Sequence, residues 1–549
     1  MMIARLQWTA LALLGPLLWW ASCVTSAEGE GEGEGDREGE GEGEGEGEGE
    51  GEGEPPADGG PDPVDAGPID PPEAHCESPV ALYDTSAPRV AIGDGTASSC
   101  DETALRAAVA GGGVITFNCG TSPVTIPLTQ ALTPPVDQDT ILDGGGLITL
   151  DAGGVTRHLY LSHPDWMNNT AKLVLQRLRL VNGRAPAGDY TPQDPARPEC
   201  AWGYKEGSGG AIYVRNIVLH VLDCELNDNQ AALIGPDVGG GAIYALGVPE
   251  VVISGTRFLR NRAANGGAVG FLWANPRIDN SVFEDNAAEG VGMNSVEPGC
   301  PNFNHDQQGG AGGNAGALYF DGMNDDGVTY TLCGNRFSGN RANELGGALF
   351  RTPNVSLRDM LIERSAFTSN TARMGGVSFI MQNDLVVRAS TFADNRSGVN
   401  VAGENVGGPF GGLWVVNGSV DVENSTFSAN QPSGLNLENG SGTLRNVTAV
   451  DSDLAGSLQM RNGLVVDSSC DRTFGGDHNL QWPSGGACAQ GTTFADPELG
   501  ELGENGGPTP TMVPSSSGPA VGHGTDCPAA DQRGELRDTA TCAAGAVEP

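Results

Sequence analysis

GGAVGFLWANPRIDNSVFEDN (residues 266–286) carries two short signatures: Gly266-Gly267 followed by a small apolar residue, and Phe283-x-x-Asn286. Both recur. Phe-x-x-Asn returns at Phe258/Asn261, Phe337/Asn340, Phe367/Asn370, Phe392/Asn395 and Phe427/Asn430, with Leu226/Asn229 as a variant. The Gly pair returns at Gly209-Gly210, Gly240-Gly241, Gly346-Gly347, Gly375-Gly376 and Gly411-Gly412. Counted from Leu226, the spacings are 32, 25, 54, 30, 25 and 35 residues. The bare unit is therefore 25 residues, and the longer ones hold insertions.

Reading back from each Phe exposes columns. Five residues before it stand Val221, Ile253, Ile278, Leu332, Ile362, Val387 and Val422, and seven before stand Leu219, Val251, Pro276, Tyr330, Met360, Leu385 and Val420. Two before stand Cys224, Thr256, Ser281, Asn335, Ser365, Ser390 and Ser425. Alternate residues of a strand share a face, so −7 pairs with −5 and −2 with 0. The step from −5 to −2 breaks the alternation, so the chain bends there. One unit reads as strand, bend, strand carrying Phe, turn at Asn, loop, and a strand begun by Gly-Gly. Stacked, such units make a parallel β-helix, with Asn229, Asn261, Asn286, Asn340, Asn370, Asn395 and Asn430 as a ladder along one corner. A propeller or sandwich is the rival, but a propeller blade needs a longer unit, and hairpin signals are sparse.

The recurring Gly-Gly-Ala with Phe-x-x-Asn, best at "GGAIY" 240–244, "GGAVGF" 266–271 and "GGALF" 346–350, resembles the repeats of polymorphic outer membrane proteins. It is also similar to bacterial right-handed β-helix proteins of the pectin-lyase-like fold. The resemblance covers roughly 170–450. It implies a single right-handed parallel β-helix, surface display and adhesion. After 466 there is no series of long amphipathic strands of the autotransporter kind. Instead "FADPELGELGENGGPTPTMVPSSSGPAVGHG" and "CPAADQRGELRDTATCAAGAVEP" resemble the C-terminal segment of choice-of-anchor β-helix proteins.

Composition narrows the setting. The net charge is −41, of which the Glu-Gly run 28–54 supplies −13 and the rest −41 + 13 = −28. That charge repels phosphates and anionic lipid head groups, so nucleic acid is excluded as a partner. Residues 1–23 read as a lipoprotein-type signal ending in Ala21-Ser22-Cys23, with Trp20 where the lipobox usually has Leu. Cys23 is the expected lipidation site and membrane anchor. Cleavage after Thr25-Ser26-Ala27, or a retained membrane helix interrupted by Pro16, are the alternatives. All three place the body outside the cytoplasm, at a cell surface or secreted. Residues 24–75 read as a disordered Glu-Gly and Pro-rich linker, 76–465 as the β-helix, and 466–549 as an irregular disulfide-stabilised cap. A short helix near Cys100, capped by Asp101 or Thr103 with Leu105, Ala108 and Val109 inward, is expected to plug the first coil.

Twelve Cys suit an oxidising compartment. Cys100–Cys119, Cys470–Cys488 and Cys527–Cys542 are the expected local bridges, and Cys200–Cys300 would join two insertions. With Cys23 lipidated, an odd number remains, so at least one stays unpaired.

Fold does not decide function. The pectin-lyase-like resemblance keeps open a polysaccharide lyase, needing a carboxylate Ca²⁺ cluster and a basic residue, or a hydrolase, needing paired carboxylates. The chain has only two Lys, Lys172 and Lys205. Asp321, Asp325 and Asp326 in "DGMNDDG" are the candidate Ca²⁺ ligands, although the stretch reads first as a turn. No other cofactor is expected. The insertions 182–210 and 286–316 place Trp202, Tyr204, Phe303, His305 and Asp306 in reach of a sugar- or protein-binding rim. The expectation is a non-catalytic surface lipoprotein acting in adhesion, with a carbohydrate or protein ligand. The alternative is an extracellular polysaccharide lyase or glycoside hydrolase.

Overall fold

The structure is a computed structural model that describes residues 67–165, 168–186, 207–235, 238–293, 312–322, 329–352 and 358–549. Residues 1–64 form a unit of their own and lie outside the described residues, and the body begins at Asp65.

The 25-residue unit closes one coil. Val251–Ser254 runs into Arg257–Leu259, then Arg262–Ala263, then Val269–Leu272, and the chain returns as Pro276–Asp279 directly beside Val251–Ser254. Among the described residues this repetition builds three sheets of 26, 10 and 5 strands. The largest, sheet A, contains the two strand columns that flank the bend before Phe. Sheet B collects the strands begun by Gly-Gly, and sheet C the two-residue strands after Asn. The pairings are parallel in all three. The architecture is a right-handed parallel β-helix.

Register turns columns of sequence into columns of packing. Phe258, Phe283, Phe337, Phe367, Phe392 and Phe427 are direct partners from coil to coil. Their rings stack with centroids 4.6–5.1 Å apart, close to the natural spacing of paired strands. Phe283 pairs with Phe337 although 54 residues separate them, so the surplus there is insertion and not another coil.

The bend falls three residues before Phe, at a left-handed residue in every coil: Gly255, Asn280, Gly334, Arg364, Ala389 and Asn424 all have positive φ. The residue before the ladder Asn is left-handed too, as at Arg260, Asp285 and Asp394. A third left-handed position is the first Gly of the pair at Gly209, Gly240, Gly266, Gly346 and Gly375, with φ 56° at Gly266. The second Gly has a different task. A Cβ on Gly267 would lie 2.2 Å from the Gly316 carbonyl oxygen of the next coil. In the coil after 286 the pair is Ala315-Gly316, with Ala315 itself left-handed at φ 62°. The first position thus accepts Ala, while the second is Gly at 210, 241, 267, 316, 347, 376 and 412.

At the first end, helix α1 (Glu102–Val109) lies across the opening. Asp101 caps it by accepting from the Ala104 amide at 2.8 Å, and Leu105, Ala108 and Val109 join the core. At the other end the stack runs past 465. Ala449, Val465, Gln481 and Phe494 continue the Phe column in register. These last coils lack the sheet C strand, and at Ala449, Val465 and Gln481 the ring is replaced by smaller side chains, so the Phe-x-x-Asn signature cannot mark them. The boundary expected at 465/466 therefore falls inside the stack.

Sheet B carries aromatics outside as well as inside. Leu318 and Phe320 face the core, while Tyr319 joins Phe350, Phe379 and Trp414 in a separate buried cluster. Met293, Met374 and Phe410 pack against that cluster. Met293 and Phe410 sit at the feet of segments that interrupt the repeat.

Candidate functional site

The outer face of sheet A is the longest regular surface on the body, and both terminal segments dock on it. Residues 67–85 run out along the stack and back. The Ile69 amide donates to the Gly146 carbonyl at 3.0 Å, and Arg257 Nε donates to the Asp70 carbonyl at 3.3 Å. Asn280 Oδ1, at the left-handed corner, accepts from the His75 and Cys76 amides at 2.8 and 2.9 Å. Cys76 is joined to Cys333. The segment then returns, and Thr85 Oγ1 donates to Asp143 Oδ2 at 2.7 Å. The linker expected to reach residue 75 is thus held against the coils from Gly67 onward, because its backbone finds partners at the sheet corners.

The C-terminal segment docks further along. Thr391, Thr426 and Thr448 form a row of hydroxyls on the outer side of the Phe-bearing strands. Thr391 donates to the Pro510 carbonyl at 2.6 Å, Thr426 donates to Gln532 Oε1 at 2.7 Å, and Thr448 accepts from the Ala546 amide at 2.9 Å. Instead of only closing the end, the tail folds back along the sheet.

Under the N-terminal segment lies a polar cluster with acid–base capability. Tyr83 Oη stands 2.9 Å from His220 Nδ1, and His220 Nε2 stands 2.7 Å from Glu250 Oε1. Burial pushes the His220 pKa down against the pull of Glu250, and burial pushes the Tyr83 phenol up. Both directions favour one arrangement: neutral imidazole, its Nε2–H donating to Glu250, its Nδ1 accepting the Tyr83 proton. Lys172 acts electrostatically on both Tyr83 and His220. Nearby, burial works against the charge on Asp143, but bonds from Arg177, Thr85, the Gly145 amide and Gln176 outweigh it and hold its pKa below the usual carboxylate range.

A second site is open. Residues 398–408 interrupt the repeat between the Asn395 turn and Gly411-Gly412, closed on themselves by a Val399–Asn405 antiparallel bridge. They wall a cleft of about 820 Å³ lined by Ser369, Thr371, Asp394, Arg396, Asn405 and Gln431. Asp394 and Arg396 are exposed. The lining is polar and of mixed charge, suited to hydroxyl- and amide-rich ligands. The insertion after Asn286 leaves from the same stretch of the coil, its foot a Met293–Gly312 antiparallel bridge.

Of the residues singled out by sequence, Trp202, Tyr204, Phe303, His305, Asp306, Asp325, Asp326, Cys23, Cys200 and Cys300 lie outside the described residues. Asp321 ends a sheet B strand; its Oδ2 accepts from Tyr319 Oη at 3.0 Å and its Oδ1 from Thr352 Oγ1 at 3.2 Å. Among the described residues, no group of three His, Cys, Asp or Glu stands close enough to hold a metal ion. Cys100–Cys119, Cys470–Cys488 and Cys527–Cys542 are joined, and Cys224 is free and buried.

The Asn column hydrogen-bonds throughout. Asn286 Nδ2 donates to the Phe258 carbonyl and to Asn340 Oδ1, both at 2.9 Å. Its Oδ1 accepts from the Asn261 amide and Asn261 Nδ2, both at 3.0 Å. All four hydrogen-bonding valences of the side chain are filled. A parallel ladder went unread in the sequence: the −2 column. Ser365, Ser390 and Ser425 pass bonds from amide to hydroxyl along the bend, and Cys224 sits at its start. The small polar residue at each −2 position was its signal. Cys76–Cys333 and the Tyr83–His220–Glu250 cluster had none, because their members lie far apart in the chain.

No curated protein matches the chain. A family model described as "Right handed beta helix region" matches residues 308–477. Sequence match and coil geometry agree on the architecture: this is a right-handed parallel β-helix protein.

Proposed function

We propose that the protein is a surface-displayed β-helix that binds rather than cleaves, tethered through a lipidated Cys23 and the Glu-Gly segment, and acting in adhesion to a carbohydrate or protein ligand. The observation that carries this reading is the placing of the interruptions at 182–210, 286–316 and 398–408. All three leave and rejoin the coil between an Asn turn and a strand begun by Gly, so their roots share one side of a rigid scaffold, as those of binding loops commonly do. The cleft beside 398–408 supports it with an open polar surface. The four disulfides among the described residues fit an extracytoplasmic site. In the test, cells displaying the full chain are compared with cells displaying a chain shortened at the three interruptions. Retention on glycan- and protein-coated surfaces should fall sharply in the second. Equal retention removes the reading.

A second reading, a polysaccharide-degrading enzyme, is favoured by the Tyr83–His220–Glu250 relay. It requires unsaturated products or new reducing ends from uronic-acid or neutral polysaccharides, abolished in His220→Gln. The protonated Tyr83 and the docked N-terminal segment argue for a fastening role instead.

A further inference from the structure

The far end of the stack holds a second cleft, of about 530 Å³, built on the last complete coil. Its walls include Asp453, Asp467, Arg472 and Trp482, with the 483–487 loop closing one side. That loop is held in place. Gln481 Nε2 donates to the Gly486 carbonyl at 3.0 Å, and Gln481 Oε1 accepts from the Cys488 amide at 2.9 Å. Cys470–Cys488 ties its end to the previous turn, and Thr473 Oγ1 donates to the Ala487 carbonyl at 3.1 Å.

Trp482 is out of character for this body. The Phe rings of the repeat column from Phe258 to Phe427 are buried in a stack, and Trp414 is 7 % exposed. Trp482 is 39 % exposed, and the other exposed ring among the described residues, Phe494 at 40 %, belongs to the next and final turn. An indole left in water forfeits the burial that a large aromatic offers, unless a partner covers it. The charge of the cleft restricts that partner. Arg472 makes two bonds to Asp471 at 2.8 and 3.0 Å, so it does not neutralise the cleft's carboxylates. Asp453 Oδ1 accepts from the Ser469 amide at 2.7 Å. Asp467 is exposed at a left-handed corner, and its backbone amide donates to the Trp482 carbonyl at 2.9 Å. An aromatic face beside hydroxyl-accepting carboxylates fits a pyranose ring: its C–H face covers the indole, and its hydroxyls donate to the acids. Two unneutralised carboxylates in a strongly acidic protein repel uronates.

We propose that the Trp482 cleft binds an uncharged pyranose sugar of an extended glycan, making the last coil an adhesive tip. The proposal rests on the binding role given to the protein above and names its ligand class. The stack places this tip at the opposite end from helix α1. About twelve strand spacings separate it from the first coil, or roughly 60 Å.

The experiment is calorimetric titration of the full chain with cellohexaose, mannohexaose and trigalacturonate. A neutral hexasaccharide should bind, and trigalacturonate should not. Trp482→Ala should weaken binding about tenfold or more, the loss of roughly one aromatic contact. Trp482→Phe should fall between, which separates lost stacking from a misfolded tip, and urea melts of each variant check the fold. Val155→Ala, at an exposed side chain outside both clefts, should bind like the native chain. Equal binding by native and Trp482→Ala protein overturns the tip, as does preference for trigalacturonate or no binding of either hexasaccharide. Cell retention that survives Trp482→Ala but is lost on shortening the three interruptions would refute the tip and leave the adhesive reading standing.

Discussion

His158 is an ionisable side chain turned into the interior with 0 % exposure. Its Nε2 meets the Leu150 carbonyl at 2.9 Å, and its Nδ1 has no hydrogen-bond partner. Burial, only partly opposed by that carbonyl, pulls its pKa to about 4. In the unfolded chain an imidazole titrates near 6.5. Above that pH neither state carries the proton, and stability is unaffected. Between about 6.5 and 4 the unfolded chain binds a proton that the folded one refuses, so stability falls as pH falls, by about 3 kcal/mol in full. His158→Gln should therefore flatten the acid limb. Urea midpoints of native and variant protein at pH 7 and 4.5 test this, and an unchanged difference between the two pH values contradicts it. Cys224 shows the same force acting on a thiol: burial raises its pKa to about 12 and keeps it protonated.

At the scale of the coil, the corners decide stability. The two glycines of residues 266–267 look alike in sequence but meet different obstacles. A Cβ on Gly266 would lie 2.6 Å from the Val269 carbonyl oxygen of its own coil and 2.9 Å from the Tyr319 Cβ of the next, and the chain accepts a Cβ at the corresponding Ala315. On Gly267 it would lie 2.2 Å from Gly316 O and 2.5 Å from Ala287 N, backbone atoms of the next coil. Gly266→Ala should cost about 1–2 kcal/mol, the usual penalty of a left-handed non-glycine. Gly267→Ala should cost more than about 3 kcal/mol, because two coils must separate to admit it. Thermal melts rank the pair, and a milder Gly267→Ala would show the coils are not in hard contact. That the two signatures mark separate corners was legible from their recurrence. That Ala315-Gly316 serves as a further pair was not, since the close approach behind its Gly, 2.2 Å from the Gly347 carbonyl oxygen, is made by a different coil.

For the whole molecule, the decisive feature is how the termini are secured. Cys76–Cys333 closes a loop of 257 residues, worth about 5 kcal/mol on chain-entropy grounds. It bolts the segment around Cys76 to the middle of the stack. A Cys76→Ser/Cys333→Ser chain should keep its coils but release residues 67–83. Endoproteinase Glu-C should then cut at Glu73 and Glu77 much faster than in the native protein. Equal rates would mean that the hydrogen bonds to Asn280 and Arg257 hold the segment without the disulfide.

The amino-acid sequence by itself determined the coil: a ladder of like residues is written into the chain whenever identical turns stack, so Phe, Asn and Gly columns announce the solenoid. It also suggested the three local disulfides by proximity, since their partners lie 15 to 19 residues apart, but only the fold joined them. Tertiary structure alone decided where the stack ends, since register carries the Phe column through Ala449, Val465 and Gln481 after the motif has lapsed. It alone brought His220 to Tyr83 and Cys76 to Cys333, and left Trp482 bare at the tip. Repetition is local and repeats its signal in every coil. A contact between a terminal segment and the side of a stack occurs once, between residues with no fixed separation, and no periodicity can record it.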